Sequence, residues 1–173
     1  MQLETARLIL RKPKTTDVDD YMEFVNSQFV QQYNAMTPAT REKVEAEFAN
    51  AKDDLSVLVL ASKTTNKIIG IVYTQDDSIR YEVNSKEISY FLREDESRKG
   101  YMKEALSAFL SHLFASEALE CICARAFSDN TASRALLKSL GFQENGIIPR
   151  CVKGYGDIIF DDVIHTLFPD NLK

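Results

Sequence analysis

Ser97-Arg98-Lys99-Gly100-Tyr101-Met102-Lys103-Glu104-Ala105-Leu106 joins a β-rich run ending at Leu92 to a helical stripe, through a short basic turn with one glycine. Met102, Ala105, Leu106, Phe109, Leu110, Leu113 and Phe114 recur at the period of an amphipathic helix, the strongest such pattern in the chain. A helix that opens at Gly100 leaves its first backbone N–H groups without intrahelical partners and puts the positive end of its dipole there, which makes an anion site. Arg98, Lys99 and Lys103 add positive charge in an otherwise acidic chain. One glycine beside basic residues also suits an ordinary helix start. Neither the G-x-x-x-x-G-K-[ST] loop nor the dinucleotide G-x-G-x-x-G pattern occurs, so a phosphate seated here needs another design.

Working outward, Glu87-Ile88-Ser89-Tyr90-Phe91-Leu92 predicts a strand, and residues 57–61 and 67–74 predict a hairpin across Lys63-Thr64-Thr65-Asn66. The middle of the chain therefore reads as an antiparallel meander. Before it, Arg7 to Arg11 gives a short strand, with Thr15 and Thr16 capping a helix that carries Val18, Tyr21, Met22 and Val25. Thr37-Pro38 starts a second helix along Val44, Phe48, Ala51 and Leu55. After the stripe come a strand at residues 119–126, a helix at 130–140 ended by Gly141, and a strand from Phe142. This second half is a βαβαβ run, and residues 157–168 return as a hairpin partner of the strand from Phe142.

The 173 residues, 45% of them apolar, suit a single domain over residues 1–173 with one sizeable core. A net charge of −5 argues against nucleic acid as a partner, because neutralising phosphates requires clustered Lys and Arg. No apolar run approaches the ~18 residues that span a bilayer, and the first ten residues are unlike a signal peptide, so no membrane partner and a cytoplasmic location are expected. Cys121, Cys123 and Cys151 give neither a disulfide framework nor zinc spacing. Cys121 and Cys123 alternate along a strand, read as small reduced core residues, and no metal is expected.

The segment from Glu87 through Phe142 resembles the core of the GNAT acetyltransferases, especially the branch of ribosomal-protein-alanine N-acetyltransferases and related small-amine acetyltransferases. The resemblance rests on Glu-Ile-Ser-Tyr-Phe-Leu at 87–92, the Arg98 to Leu106 turn and helix, and Asn130-Thr131-Ala132-Ser133 followed by Leu140-Gly141-Phe142. Leu3-Glu4-Thr5-Ala6-Arg7-Leu8-Ile9-Leu10-Arg11 is similar to the opening of that branch. It implies a mixed α/β (α+β) fold: a mostly antiparallel twisted sheet of about six to seven strands, about four flanking helices, and a splayed parallel strand pair. It further implies acetyl-CoA as cosubstrate. The pantetheine arm would pair with the backbone of Tyr90, Phe91 and Leu92, the pyrophosphate with N–H groups of Arg98, Lys99, Gly100, Tyr101 and Met102, and the Asn130 side chain would hold the pantetheine region. Ser97 and Met102 depart from the family's phosphate pattern but leave backbone donors intact. Leu137 stands where many members carry a general-acid tyrosine.

Acetyl transfer to an amine needs a base, donors for a developing oxyanion, and a proton for the leaving thiolate. Glu87, on the strand bordering the cleft, is the first choice of base, with Glu82 a weaker one. A charged residue solvated at a strand end is the plainer reading of Glu87. Ser133 is the candidate acid, although a serine there also suits a simple helix cap. Tyr90 reads as packing, a backbone N–H near Phe91 as oxyanion donor. His165 could line the acceptor side, His112 reads as exposed or packed, and Asp161 and Asp162 could attract a cationic acceptor. The acceptor is a small-molecule amine or a peptide N-terminus, and the protein a monomer or homodimer. A non-catalytic acyl-CoA sensor or interaction module on the same fold is the alternative.

Overall fold

Strand pairing in the computed structural model, which describes residues 2–35, 37–52 and 54–173, gives one eight-stranded sheet. Its strands are β1 (Gln2–Glu4), β2 (Leu8–Arg11), β3 (Val57–Ser62), β4 (Ile68–Asp76), β5 (Ser85–Leu92), β6 (Cys121–Phe127), β7 (Gln143–Lys153) and β8 (Ile159–Leu167). They lie in the order β1-β2-β3-β4-β5-β6-β8-β7, and every neighbouring pair is antiparallel except β5 and β6. The mixed α/β expectation holds. β1, three residues long, is the strand the sequence pattern missed, and within the βαβαβ run only β5 and β6 are parallel neighbours, since β8 inserts between β6 and β7.

Helices cover both faces. On one side α4 (Tyr101–Glu117) and α5 (Thr131–Leu140) bury Met102, Ala105, Leu106, Phe109, Leu110, Leu113, Leu137 and Leu140 against Leu58, Leu60, Val72, Ile88, Ile122 and Ala124. On the other, α1 (Val18–Met22), α2 (Gln28–Gln31) and α3 (Arg41–Asn50) pack Val18, Tyr21, Val30, Val44 and Phe48 onto Val59, Ala61, Ile68 and Ile71. Among the described residues five helices replace the expected four, because the first apolar stripe breaks after Met22 and restarts where the Ser27 hydroxyl accepts from the Val30 N–H. Thr15 and Thr16 sit inside a 3-10 turn rather than capping, and α3 is capped by Thr40 and ends before Leu55. No helix among the described residues is long and apolar enough to cross a membrane.

The feature that positions the site is a parting of strands. β5 pairs with β6 from Ser85↔Cys121 only as far as Ile88↔Ala124. Beyond that point β5 keeps to β4, out to Gly70↔Leu92, while β6 keeps to β8 through Phe127↔Asp162. Gly70 allows this: a Cβ there would lie 2.8 Å from the Phe91 carbonyl oxygen and 2.8 Å from a Leu92 methyl carbon. The end of β5 thus presses closely against β4. Gly70→Ala is expected to lower stability by about 1–3 kcal/mol through this overlap, read as a lower urea midpoint at unchanged slope.

Candidate active site

Alternation along β5 divides its side chains between the two faces of the sheet. Ile88, Tyr90 and Leu92 pack on the α4–α5 side, whereas Glu87 and Phe91 face the other way, and Phe91 joins Tyr21, Phe24 and Tyr73 in a ring cluster. The gap between β5 and β6 opens into a cleft of about 730 Å³ lined from both faces. Glu87, Tyr90, Phe91, Leu92, Arg98, Gly100, Tyr101, Met102, Asn130 and Ser133 all line it, so the fold brings these candidate residues together; the Lys99 side chain points elsewhere, to Glu96.

On the α4–α5 side, Arg98 (φ 60°) and Gly100 (φ 82°) put two left-handed residues around Lys99, and Gly100 caps α4 without a side chain. The first intrahelical bond there is from the Glu104 N–H to the Gly100 carbonyl, so the N–H groups of Tyr101, Met102 and Lys103 have no partner within the helix. Met102 is buried in the core, so its bulk does not block the turn. Asn130 caps α5, its side-chain oxygen accepting from the Ser133 N–H at 3.1 Å. The Ser133 and Tyr90 hydroxyls are 2.8 Å apart. Burial pushes the Tyr90 phenol up to about 12, the bond to Ser133 partly opposing this, so the phenol is protonated at neutral pH and able to donate.

Across the sheet, Glu87 is buried, with Oε1 accepting from Arg125 Nε (3.1 Å) and Gln75 Nε2 (3.3 Å). Arg125 Nη1 lies 3.4 Å from the buried Asp162 carboxylate. Two carboxylates therefore share one guanidinium, and Glu87 Oε2 and Asp162 Oδ1 are buried without hydrogen-bond partners among the described residues. Burial raises the Asp162 carboxyl above its usual range; Arg125 opposes the shift and Glu87 adds to it. Asp77, Glu87 and Cys123 also converge within 4.8 Å, where Arg80 bonds Asp77 and Arg125 bonds Glu87. Phe29, Tyr33, Tyr73, Gln75, Phe127 and Val152 also line the cleft.

A family model for the acetyltransferase (GNAT) domain matches residues 7–143. The chain belongs to the GNAT family. It is 31% identical over 163 residues to the uncharacterized N-acetyltransferase p20 of Bacillus licheniformis, covering 91% of this chain and 90% of that one. Its fold is shared with the ribosomal-protein-S5-alanine acetyltransferase of Vibrio fischeri (TM-score 0.84, 19% identity, 100% and 99% of the two chains). It is shared also with Mycobacterium smegmatis RimJ in complex with CoA-disulfide (TM-score 0.79, 18% identity, 96% and 87%). The protein is thus a GNAT N-acetyltransferase.

Other candidates fall outside the GNAT cleft. His165 is buried behind α5, its Nδ1 bonded to the Val163 carbonyl, and lines a separate small cavity with Arg134, Lys138 and Glu144. Glu82 is exposed in its loop, His112 is half-buried, and Asp161 accepts from the Arg150 N–H. Leu137 is fully buried, so α5 offers no hydroxyl at that position; the hydroxyls of Tyr90 and Ser133 meet in the cleft instead, while the Tyr90 ring packs against the core as expected. Cys121 and Cys123 are free, buried thiols, that of Cys123 raised by burial to about 11. Arg125 was missed, its signal being one charge in an otherwise apolar strand.

The raised Asp162 carboxyl fixes a sign. Between the ordinary carboxyl range near 4 and the higher native value, the folded chain holds a proton that the unfolded chain has released, so stability falls as pH rises through that window. Asp162→Asn should gain stability over wild type across the window and converge with it at about pH 3. Urea unfolding across that range checks this, and a difference independent of pH would refute it.

Proposed function

We propose that this enzyme transfers the acetyl group of acetyl-CoA to a primary amine, on a peptide N-terminus or a small molecule, by direct attack within a ternary complex, the whole chain acting as one domain. The carrying observation is the parted strand pair, which offers unpaired β5 backbone beside free helix N–H groups, in a cleft whose opposite face holds Glu87. The residues fit the cosubstrate. The open edge of β5 at Tyr90, Phe91 and Leu92 can pair with the amides of a pantetheine arm, the turn from Arg98 to Met102 can hold the pyrophosphate, and Asn130 stands at the mouth of α5. The CoA-bound RimJ neighbour and the alanine acetyltransferase neighbour support the cosubstrate and the peptide acceptor.

Acetyl-CoA supplies a thioester carbonyl and a thiol leaving group. Glu87 accepts the proton that the amine sheds on attack, directly or through water; an α-amino group, with an ordinary pKa of about 8, is an easier acceptor than a lysine amine at about 10.4. A backbone N–H near Phe91 stabilises the carbonyl oxygen as negative charge develops. The Ser133–Tyr90 hydroxyl pair holds the proton for the departing sulfur. Proximity within the cleft supplies much of the remaining rate.

The test is thiol release with acetyl-CoA over a panel of small amines and peptides of differing N-terminal residue. For an acceptor that turns over, Glu87→Gln is expected to lower kcat about 10²- to 10³-fold, and Ser133→Ala or Tyr90→Phe about 10-fold, with KM for acetyl-CoA changed only a few-fold. Full turnover in Glu87→Gln would remove it as the base.

A further inference from the structure

One polar cluster that this chemistry leaves unused ties the start of the chain to the Gly100 turn. Glu104, in the first turn of α4, accepts from the Thr5 hydroxyl (2.6 Å), the Arg7 N–H (2.8 Å) and Arg7 Nε (2.6 Å). Arg7 Nη1 donates to the Lys99 carbonyl (2.9 Å), its guanidinium carbon lies 4.2 Å from the centroid of the Tyr101 ring, and a Cβ at Gly100 would lie 3.4 Å from Nη2. One side chain therefore grips the turn at Lys99, Gly100 and Tyr101, and again at Glu104.

A trans peptide points its C=O and its N–H in opposite directions, and the described residues contain no cis bond. Holding the Lys99 carbonyl on the Arg7 side therefore turns the Gly100 N–H to the opposite side. Gly100, Tyr101, Met102 and Lys103 line the cleft, whereas Arg7 and the Lys99 side chain stand outside it. Arg7 also neutralises Glu104, whose carboxylate would otherwise set negative charge one turn from an anion site.

The geometry points to Arg7 as a positioning residue for the pyrophosphate seat: from behind the turn it aims the backbone donors into the cleft and cancels the Glu104 charge, without itself lining the cleft. This rests on the acetyl-CoA reading above. Lysine cannot replace it, because an ammonium lacks the planar fork that reaches Glu104 and Lys99 together and stacks on Tyr101. A purely structural role would be small, since the Arg7 side chain is 44% exposed and ion pairs at such exposure contribute little to stability.

The experiment is calorimetric titration of coenzyme A into wild type, Arg7→Gln and Arg7→Lys, with amide hydrogen exchange on each. Arg7→Gln should raise Kd about 3- to 10-fold, and Arg7→Lys should recover less than half of that loss. Exchange should quicken at the Glu104 N–H, which bonds the Gly100 carbonyl, while the sheet keeps its protection, and saturating coenzyme A should restore it. An unchanged Kd, or exchange that quickens throughout the sheet, overturns the assignment. If Arg7→Gln does not fold, Arg7→Lys, which keeps the charge but lacks the fork, should by itself still weaken coenzyme A at least about 2-fold, and no weakening there overturns it equally. Wild type that binds no coenzyme A would sink the acetyl-CoA reading instead, a result separate from any effect of Arg7.

Discussion

Buried backbone donors and acceptors need partners, and in this fold the end of β5 has lost the strand that would supply them. The other features of the site gather around that deficit. Gly70 lets β5 lie close to β4, so the gap opens on the β6 side, and α4 and α5 begin on the same face as the gap. On the proposed reading, a ligand with amides in an extended arm would meet the deficit as an added strand does, and the helix start beside it would take the charge at the end of such an arm.

The sheet also separates two kinds of chemistry. On the α4–α5 side the pair at the gap is neutral, a phenol kept protonated by burial and a serine hydroxyl, with Arg98, Lys103 and the first N–H groups of α4 nearby. On the other side are charges: two carboxylates on one guanidinium, with two buried oxygens that have no hydrogen-bond partner among the described residues. Such an arrangement is costly in a core and its retention favours a role in handling protons or a cation. Paired neutral hydroxyls and paired carboxylates thus stand on opposite sides of a single strand gap.

Much of this was legible in the sequence, for reasons that differ by residue. The α4 stripe and the Gly141 end of α5 were readable because helical periodicity and capping are local properties. The strand parting was not, since the pairing of β5 with β6 depends on contacts far apart along the chain; it entered only through the resemblance of the 87–142 segment to a known family. β1 is too short to show a period, and the break after Met22 leaves the apolar spacing intact while the backbone turns. Arg125 and the Tyr90 hydroxyl needed three dimensions, because nothing adjacent to either residue names its partner.

The bonds from Thr5 and Arg7 to Glu104 close spans of 99 and 97 residues. Ordering so long a loop is slow and entropically costly, and it precedes any reward from the contacts it makes. Helix α4 can form early from its own local stripe, but the turn at its head is complete only when β1 and β2 have docked at the far edge of the sheet. A chain folded from β3 onward would carry the helix and the strand gap yet lack every one of those bonds. The Gly100 turn, though continuous in sequence with its helix, therefore owes its native form to contacts from the opposite end of the chain.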